Sequence, residues 1–127
     1  MLLLKVKNFV YGNSGVSLEV TERLISFYNQ NILPVVYQLG SLGASGDLAP
    51  LAHLSLPLLN KGEVYIDGVK RNANELSFEA LKLQSKEGLA LLNGTQFMSS
   101  YAVWCLLKIK KLIEWADVIA AISFEGF

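Results

Sequence analysis

The chain has 127 residues, with 11 Lys and Arg against 11 Asp and Glu, so nothing in its net charge points to a polyanionic partner or an anionic membrane surface. Hydrophobic residues make up 52% and charged residues 17%, too apolar for disorder and sparse in charge for the surface of a small free-standing domain, so part of that surface is expected to pack against other protein. A single cysteine, Cys105, excludes an internal disulfide framework and fits a cytoplasmic protein, while one Cys and one His leave no zinc-type spacing.

The elements can be read in chain order. Leu2 to Tyr11 forms an apolar helix stopped by the breaker cluster Gly12-Asn13-Ser14-Gly15. Ser17 is placed to cap a second helix, in which Val20, Leu24, Phe27 and Tyr28 share one face and Glu19, Glu22 and Arg23 face outward. Pro34 is expected to end that helix, and Val35 to Gly40 connects it to a glycine-rich loop. A third helix is expected from Leu48 to about Leu59; His53 and Ser55 interrupt its apolar run, which is too short to span a bilayer. Met1-Leu2-Leu3-Leu4, followed at once by Lys5, makes a poor secretory signal.

Glu63 to Ile66, Asp67-Gly68, then Val69 to Arg71 is a hairpin pattern with a type I′ turn. A short helix is expected near Ala73 to Leu83, another segment at Glu87 to Leu92, and a long helix from about Thr95 to Phe124 after Asn93-Gly94. Thirty helical residues span about 45 Å, longer than a globule of this size is wide. Phe97 to Leu107 is apolar nearly all round, so neighbours should surround it, and Lys108, Lys110 and Lys111 then supply a wet face. The predicted fold is mainly α: part of an elongated helical bundle with one small β-hairpin, with residues 1–127 as one partial domain.

Chemistry concentrates in the loop Gly40 to His53. At its centre, Ala44-Ser45-Gly46 can react internally. Attack of the Gly46 nitrogen on the Ala44 carbonyl closes a five-membered ring, and loss of water there and of the Ser45 hydroxyl leaves an electrophilic methylidene. Glycine suits the attacking position because it lacks a Cβ, and alanine adds little bulk beside the ring. The same residues also suit a plain loop and helix start, with Asp47 as N-cap and Pro50 inside the first turn. Gly40, Gly43 and Gly46 also allow an anion-binding loop, although the dinucleotide and Walker patterns are both missing. The second string is Lys86 to Gln96. Asn93-Gly94 can stop one helix in left-handed geometry and Thr95 can cap the next. His53, alone on an apolar helix, reads as a structural residue and not as a base.

The run from Gly40 to His53 resembles the signature of the aromatic amino acid ammonia-lyases, and Lys86 to Gln96 matches that family's second signature at a plausible distance. Gly12 to Val16 and the hairpin extend the likeness from Leu2 to about Phe124. Within the family, Ala49-Pro50-Leu51-Ala52-His53 and Gln96 favour the histidine ammonia-lyases over relatives acting on tyrosine or phenylalanine. Leu42, where Val is common, is a mild departure. The resemblance implies that Ala44, Ser45 and Gly46 cyclise to 4-methylideneimidazol-5-one (MIO), the electrophile. It implies that Asn93 lies beside the ring and the substrate's amino group, that Leu48 lines the substrate pocket, and that Asp47 supports the loop. The implied reaction is elimination of ammonia from L-histidine to give trans-urocanate. The implied assembly is a homotetramer, with no nucleic acid, membrane or metal partner. Family members are several times longer, with a Tyr-containing catalytic loop upstream of Met1 and further substrate-binding residues downstream of Phe127. The chain therefore reads as an internal segment, carrying the electrophile and Asn93 without a recognisable base, and is expected to be inactive alone. The alternatives are a tyrosine or phenylalanine lyase or aminomutase of the same family, or a helical interaction or anion-binding module whose loop stays uncyclised.

Overall fold

The computed structural model describes residues 1–40 and 46–127. They fall into two compact units, Met1–Phe97 and Met98–Phe127. The first unit begins with α1 (Leu2–Val10) and α2 (Leu18–Asn29), which pack together. Strand β1 (Leu33–Pro34) follows, then α3 (Leu48–Ser55), strands β2 (Glu63–Ile66) and β3 (Val69–Asn72), and α4 (Glu87–Leu92). Helix α5 (Gln96–Glu125) starts in the first unit and makes up the second.

The mainly helical fold with a small sheet agrees with the sequence reading, and each difference has a physical cause. Val20, Leu24 and Phe27 of α2 are buried together with Thr21, but Tyr28 is 53% exposed. The helix ends well before Pro34. Asn31 adopts φ 54°, and the bonds Asn31 N–H to Tyr28 O (3.2 Å) and Ile32 N–H to Phe27 O (2.9 Å) close a Schellman motif, with Ile32 and Phe27 as its buried apolar pair. Pro34 instead sits on an edge strand, where its missing N–H costs no ladder bond.

β1 pairs antiparallel with β2 (Leu33 opposite Tyr65, Pro34 opposite Val64), so the expected hairpin becomes a three-stranded sheet with β2 in the centre. Asp67 (φ 51°) and Gly68 (φ 78°) form the turn, both with the positive φ that a type I′ turn requires. The third helix stops being α-helical at Ser55 and continues to Leu59 as a 3-10 turn, since Pro57 can neither donate in the α ladder nor avoid the preceding carbonyl.

The helix expected at Ala73 to Leu83 does not form. Only Ala73–Glu75 makes a 3-10 turn, and the rest runs irregularly because distant groups take its backbone. Leu81 N–H donates to Leu58 O (2.9 Å), the Asn60 side chain donates to Phe78 O (2.8 Å), and Arg23 donates to Glu79 O (2.7 Å).

The core of the first unit joins Phe9, Leu24, Phe27, Leu51, Leu54, Leu58, Val64 and Leu91, drawn from α1 to α4, the 3-10 turn and β2. In the second unit the apolar side chains of α5 are exposed, with Trp104 at 59% and Leu107 at 68%. Among the described residues no helix is long and apolar enough to cross a membrane.

Candidate functional site

Asp47, the residue before α3, and Gly94, two residues before α5, meet through their backbones. The Asp47 N–H donates to Gly94 O at 3.0 Å, and Gly46 and Gly94 form an isolated parallel bridge. Both glycines are required by geometry. Gly46 has φ +93°, and a Cβ there would lie 2.5 Å from Gly94 O. Gly94 has φ +133°, and a Cβ there would overlap the side-chain amide of Gln96. At Gly46 both the close backbone approach and the positive φ call for glycine, and at Gly94 the positive φ does. The two glycine-bearing strings of the sequence are thus one structural junction.

Asp47 is buried and occupies the N-cap position of α3, without a side-chain capping bond. The reason is partly chemical: Pro50 stands at the third helical position and has no N–H to be capped. Leu48 opens α3 and is 38% exposed. Ala44 and Ser45, the other two candidates at the loop, lie outside the described residues.

Asn93 terminates α4. Its backbone is extended (φ −84°, ψ 143°), so the left-handed stop expected at Asn93-Gly94 does not occur at Asn93; the positive φ belongs to Gly94. Its side-chain Nδ2 donates to Leu89 O at 3.2 Å. Because that partner is a carbonyl, the atom facing it must be the NH2 group. The acceptor Oδ1 is therefore the end of the amide left to receive a hydrogen bond from an ammonium or amine. His53 behaves as a structural residue: its Nδ1 accepts the Tyr37 N–H at 3.3 Å and its ring stands edge-on to Tyr37.

Two ionisable residues that the sequence reading passed over hold this site. Lys5 of α1 is fully buried, and its Nζ donates to Ala90 O and Asn93 O, each at 2.7 Å. Burial pulls its pKa from 10.5 to about 8. Glu87 opens α4 and is almost fully buried. Its Oε1 accepts the Ser17 N–H at 2.7 Å and its Oε2 the Gln84 N–H at 2.6 Å. These bonds, that of Ser17 foremost, hold its carboxyl below the ordinary carboxylate value. The α2 start is therefore anchored by its backbone N–H onto Glu87, and Ser17 makes no side-chain cap. The one available signal for Lys5 was its place on the buried Leu2 and Phe9 face of α1. Among the described residues no group of three or more His, Cys, Asp or Glu could hold a metal ion.

Comparison with known proteins places this geometry. The aromatic amino acid lyase family model matches residues 1–127. Histidine ammonia-lyase of Halalkalibacterium halodurans is 48% identical over 130 residues, covering 99% of this chain and 25% of that protein. Histidine ammonia-lyase of Bacillus subtilis is 44% identical, covering 99% of this chain and 26% of that protein. The chain thus spans about a quarter of the length of the curated relatives it matches. Among solved structures, histidine ammonia-lyase from Trypanosoma cruzi superposes with TM-score 0.76 at 34% identity, over 87% of this chain and 22% of that one. Phenylalanine aminomutase of Pantoea agglomerans superposes with TM-score 0.80 at 32% identity, over 89% of this chain and 22% of that one. With the family model matched along its whole length and its glycine junction formed from both signature strings, the chain belongs to the aromatic amino acid lyase family.

Proposed function

We propose that this chain forms the MIO-bearing part of an ammonia-lyase domain that deaminates L-histidine to trans-urocanate and ammonia. The observation that carries the reading is the Gly46–Gly94 junction, which puts Asn93 one residue from the backbone that meets the proposed ring precursor. The names of the relatives at 44–48% identity favour histidine as the substrate.

The residues present fit the prosthetic group. Gly46 supplies a nitrogen with no Cβ beside it, in a space that a Cβ would fill against Gly94 O. MIO, formed from Ala44, Ser45 and Gly46, supplies an electrophilic methylidene to the reaction. Around it the chain's own residues have separate tasks. The Asp47 N–H to Gly94 O bond fixes the end of the loop. Asn93 Oδ1 accepts from the substrate's amino group, while Nδ2 stays tied to Leu89 O. The positive end of α3, which directly follows the tripeptide, favours negative charge developing there. Leu48 contributes apolar surface to the substrate pocket. Removal of the β-proton is assigned to no residue of this chain.

The exposed apolar side chains of α5 support packing against further protein; we assign that protein to further subunits of a cytoplasmic homotetramer. Peptide mass spectrometry of the purified full-length protein that contains this chain tests the central step. The peptide containing Ser45 should be lighter by two waters than its sequence mass, and Ser45→Ala should leave the peptide at the full mass of its own sequence and abolish urocanate formation. An unmodified Ser45 peptide in active protein would overturn the proposal.

A further inference from the structure

Helix α4 has six residues, far short of the ~12–15 at which an isolated helix becomes even marginally stable, so its position is set by what holds its ends. Glu87 ties the first turn to Ser17 and Gln84. Lys5 ties the last turn, reaching from α1 to carbonyls 85 and 88 residues away in sequence. The geometry points to Lys5 as a positioning residue for Asn93: by holding the Asn93 carbonyl together with that of Ala90, it fixes the direction in which Asn93 presents Oδ1 to the substrate's amino group. This rests on the reading that Asn93 receives that group.

Three observations carry the assignment. The lysine bonds the backbone of Asn93 itself, as well as that of a residue within α4. The next residue, Gly94, gives its carbonyl to Asp47, so the two successive peptide units that follow the Asn93 Cα are each held by a hydrogen bond. The third observation is cost. Lys5 sits on the face of α1 shared with Leu2 and Phe9, with its ammonium 5.1 Å from the Phe9 ring centre. A methionine would fill such a place without burying a charge, but it would leave the Ala90 and Asn93 carbonyls without their donor. Both partners are carbonyls at a helix C-terminus, where a cation also meets the negative end of the dipole. Other ionisable groups stand on the surrounding elements: the Met1 amine and Lys7 beside α1 and on it, Glu19, Glu22 and Arg23 on α2, His53 on α3 with Asp47 at its start, and Glu87 on α4. None of them accepts either Lys5 bond.

The test is solution NMR on the isotopically labelled chain, comparing the parent with Lys5→Met and Lys5→Arg, with L-histidine as the ligand probe. In the parent, the Asn93 carbonyl carbon should titrate together with the Lys5 Nζ, with one shared midpoint. In Lys5→Met, with helical content retained by circular dichroism, that step should vanish. The Asp47 amide should then lose protection from hydrogen exchange by about tenfold or more, the scale of one lost charge-assisted hydrogen bond. L-Histidine should bind at least about tenfold more weakly, and Lys5→Arg should recover part of both losses. An unchanged Asn93 carbonyl shift and Asp47 exchange rate in folded Lys5→Met would overturn the assignment. Should Lys5→Met fail to fold, separate titrations of Lys5 and Asn93 in the parent would overturn it equally. L-Histidine binding is read in the full-length protein that contains this chain, where absence of binding defeats the substrate reading instead, while the carbonyl and exchange measurements still decide whether Lys5 positions Asn93.

Discussion

Replacing Gly46 by alanine should destabilise the first unit through two additive causes that a control can separate. The first is backbone strain: Gly46 has φ +93°, a conformation L residues rarely adopt, which costs of order 1–3 kcal/mol. The second is overlap. The new Cβ would stand 2.5 Å from Gly94 O, well inside ordinary contact, and a backbone oxygen held by the Asp47 N–H cannot rotate away. Forced shifts of this kind cost about 1–3 kcal/mol. The sum, about 2–6 kcal/mol, is a large share of the 5–15 kcal/mol typical of a whole domain. Gly12 supplies the control, since it has φ +75° but no described atom within 4 Å of its would-be Cβ, so Gly12→Ala incurs only the strain. Urea denaturation of both variants, followed by circular dichroism, should place Gly46→Ala about 1–3 kcal/mol below Gly12→Ala. Equal stabilities would refute the claim that the two glycine strings are pressed together.

Glu87→Gln should cost about 1–3 kcal/mol at neutral pH despite its matching shape, because a side-chain NH2 would then face the N–H of Ser17 or Gln84. The Glu87 carboxyl titrates below its ordinary value of 4.5, so its stabilisation is complete above 4.5 and disappears as pH falls through the folded-state value. The gap between parent and variant should therefore close on acidification, as urea denaturation at several pH values would show. Lys5 gives a slope of the same sign at higher pH, although there it is the charged form that folding disfavours. The folded chain releases its proton near 8 and the unfolded chain near 10.5, so unfolding takes up a proton between those values. Stability should rise with pH across that window by up to about 3 kcal/mol, and subtracting the Lys5→Met curve isolates the rise from other groups. A flat difference curve would show that Lys5 is not buried as a charge.

Local signals carried most of what could be read from the sequence. The Gly12 to Gly15 breakers, the α2 periodicity, the Asp67-Gly68 turn and the long α5 pattern all depend on near neighbours, and the structure keeps each of them. Two of the failures share one cause, capture of backbone groups by partners far along the chain. Leu58 O, Asn60 and Arg23 hold Phe78 to Leu81 out of a helix, and β2 recruits Leu33-Pro34 as a third strand. In the candidate site, Gly46, Asp47, Asn93 and Gly94 were visible as two strings, each of which also reads as an ordinary turn and cap. What the strings could not show is that they touch, or that Lys5 of α1 and Glu87 hold opposite ends of the six-residue helix between them.

The Gly46–Gly94 bridge also has a consequence for the order in which the molecule assembles. It joins points almost 50 residues apart, and closing a loop of that length costs about 3 kcal/mol of chain entropy beyond the constant term, for one bridge with no side chains to bury. The bridge cannot nucleate folding. It closes after α1, α2 and the hairpin have drawn α3 and α4 together, and it is among the first contacts released when those elements loosen. Chemistry that depends on Gly46 being pressed against Gly94 is thereby confined to chains that have already folded.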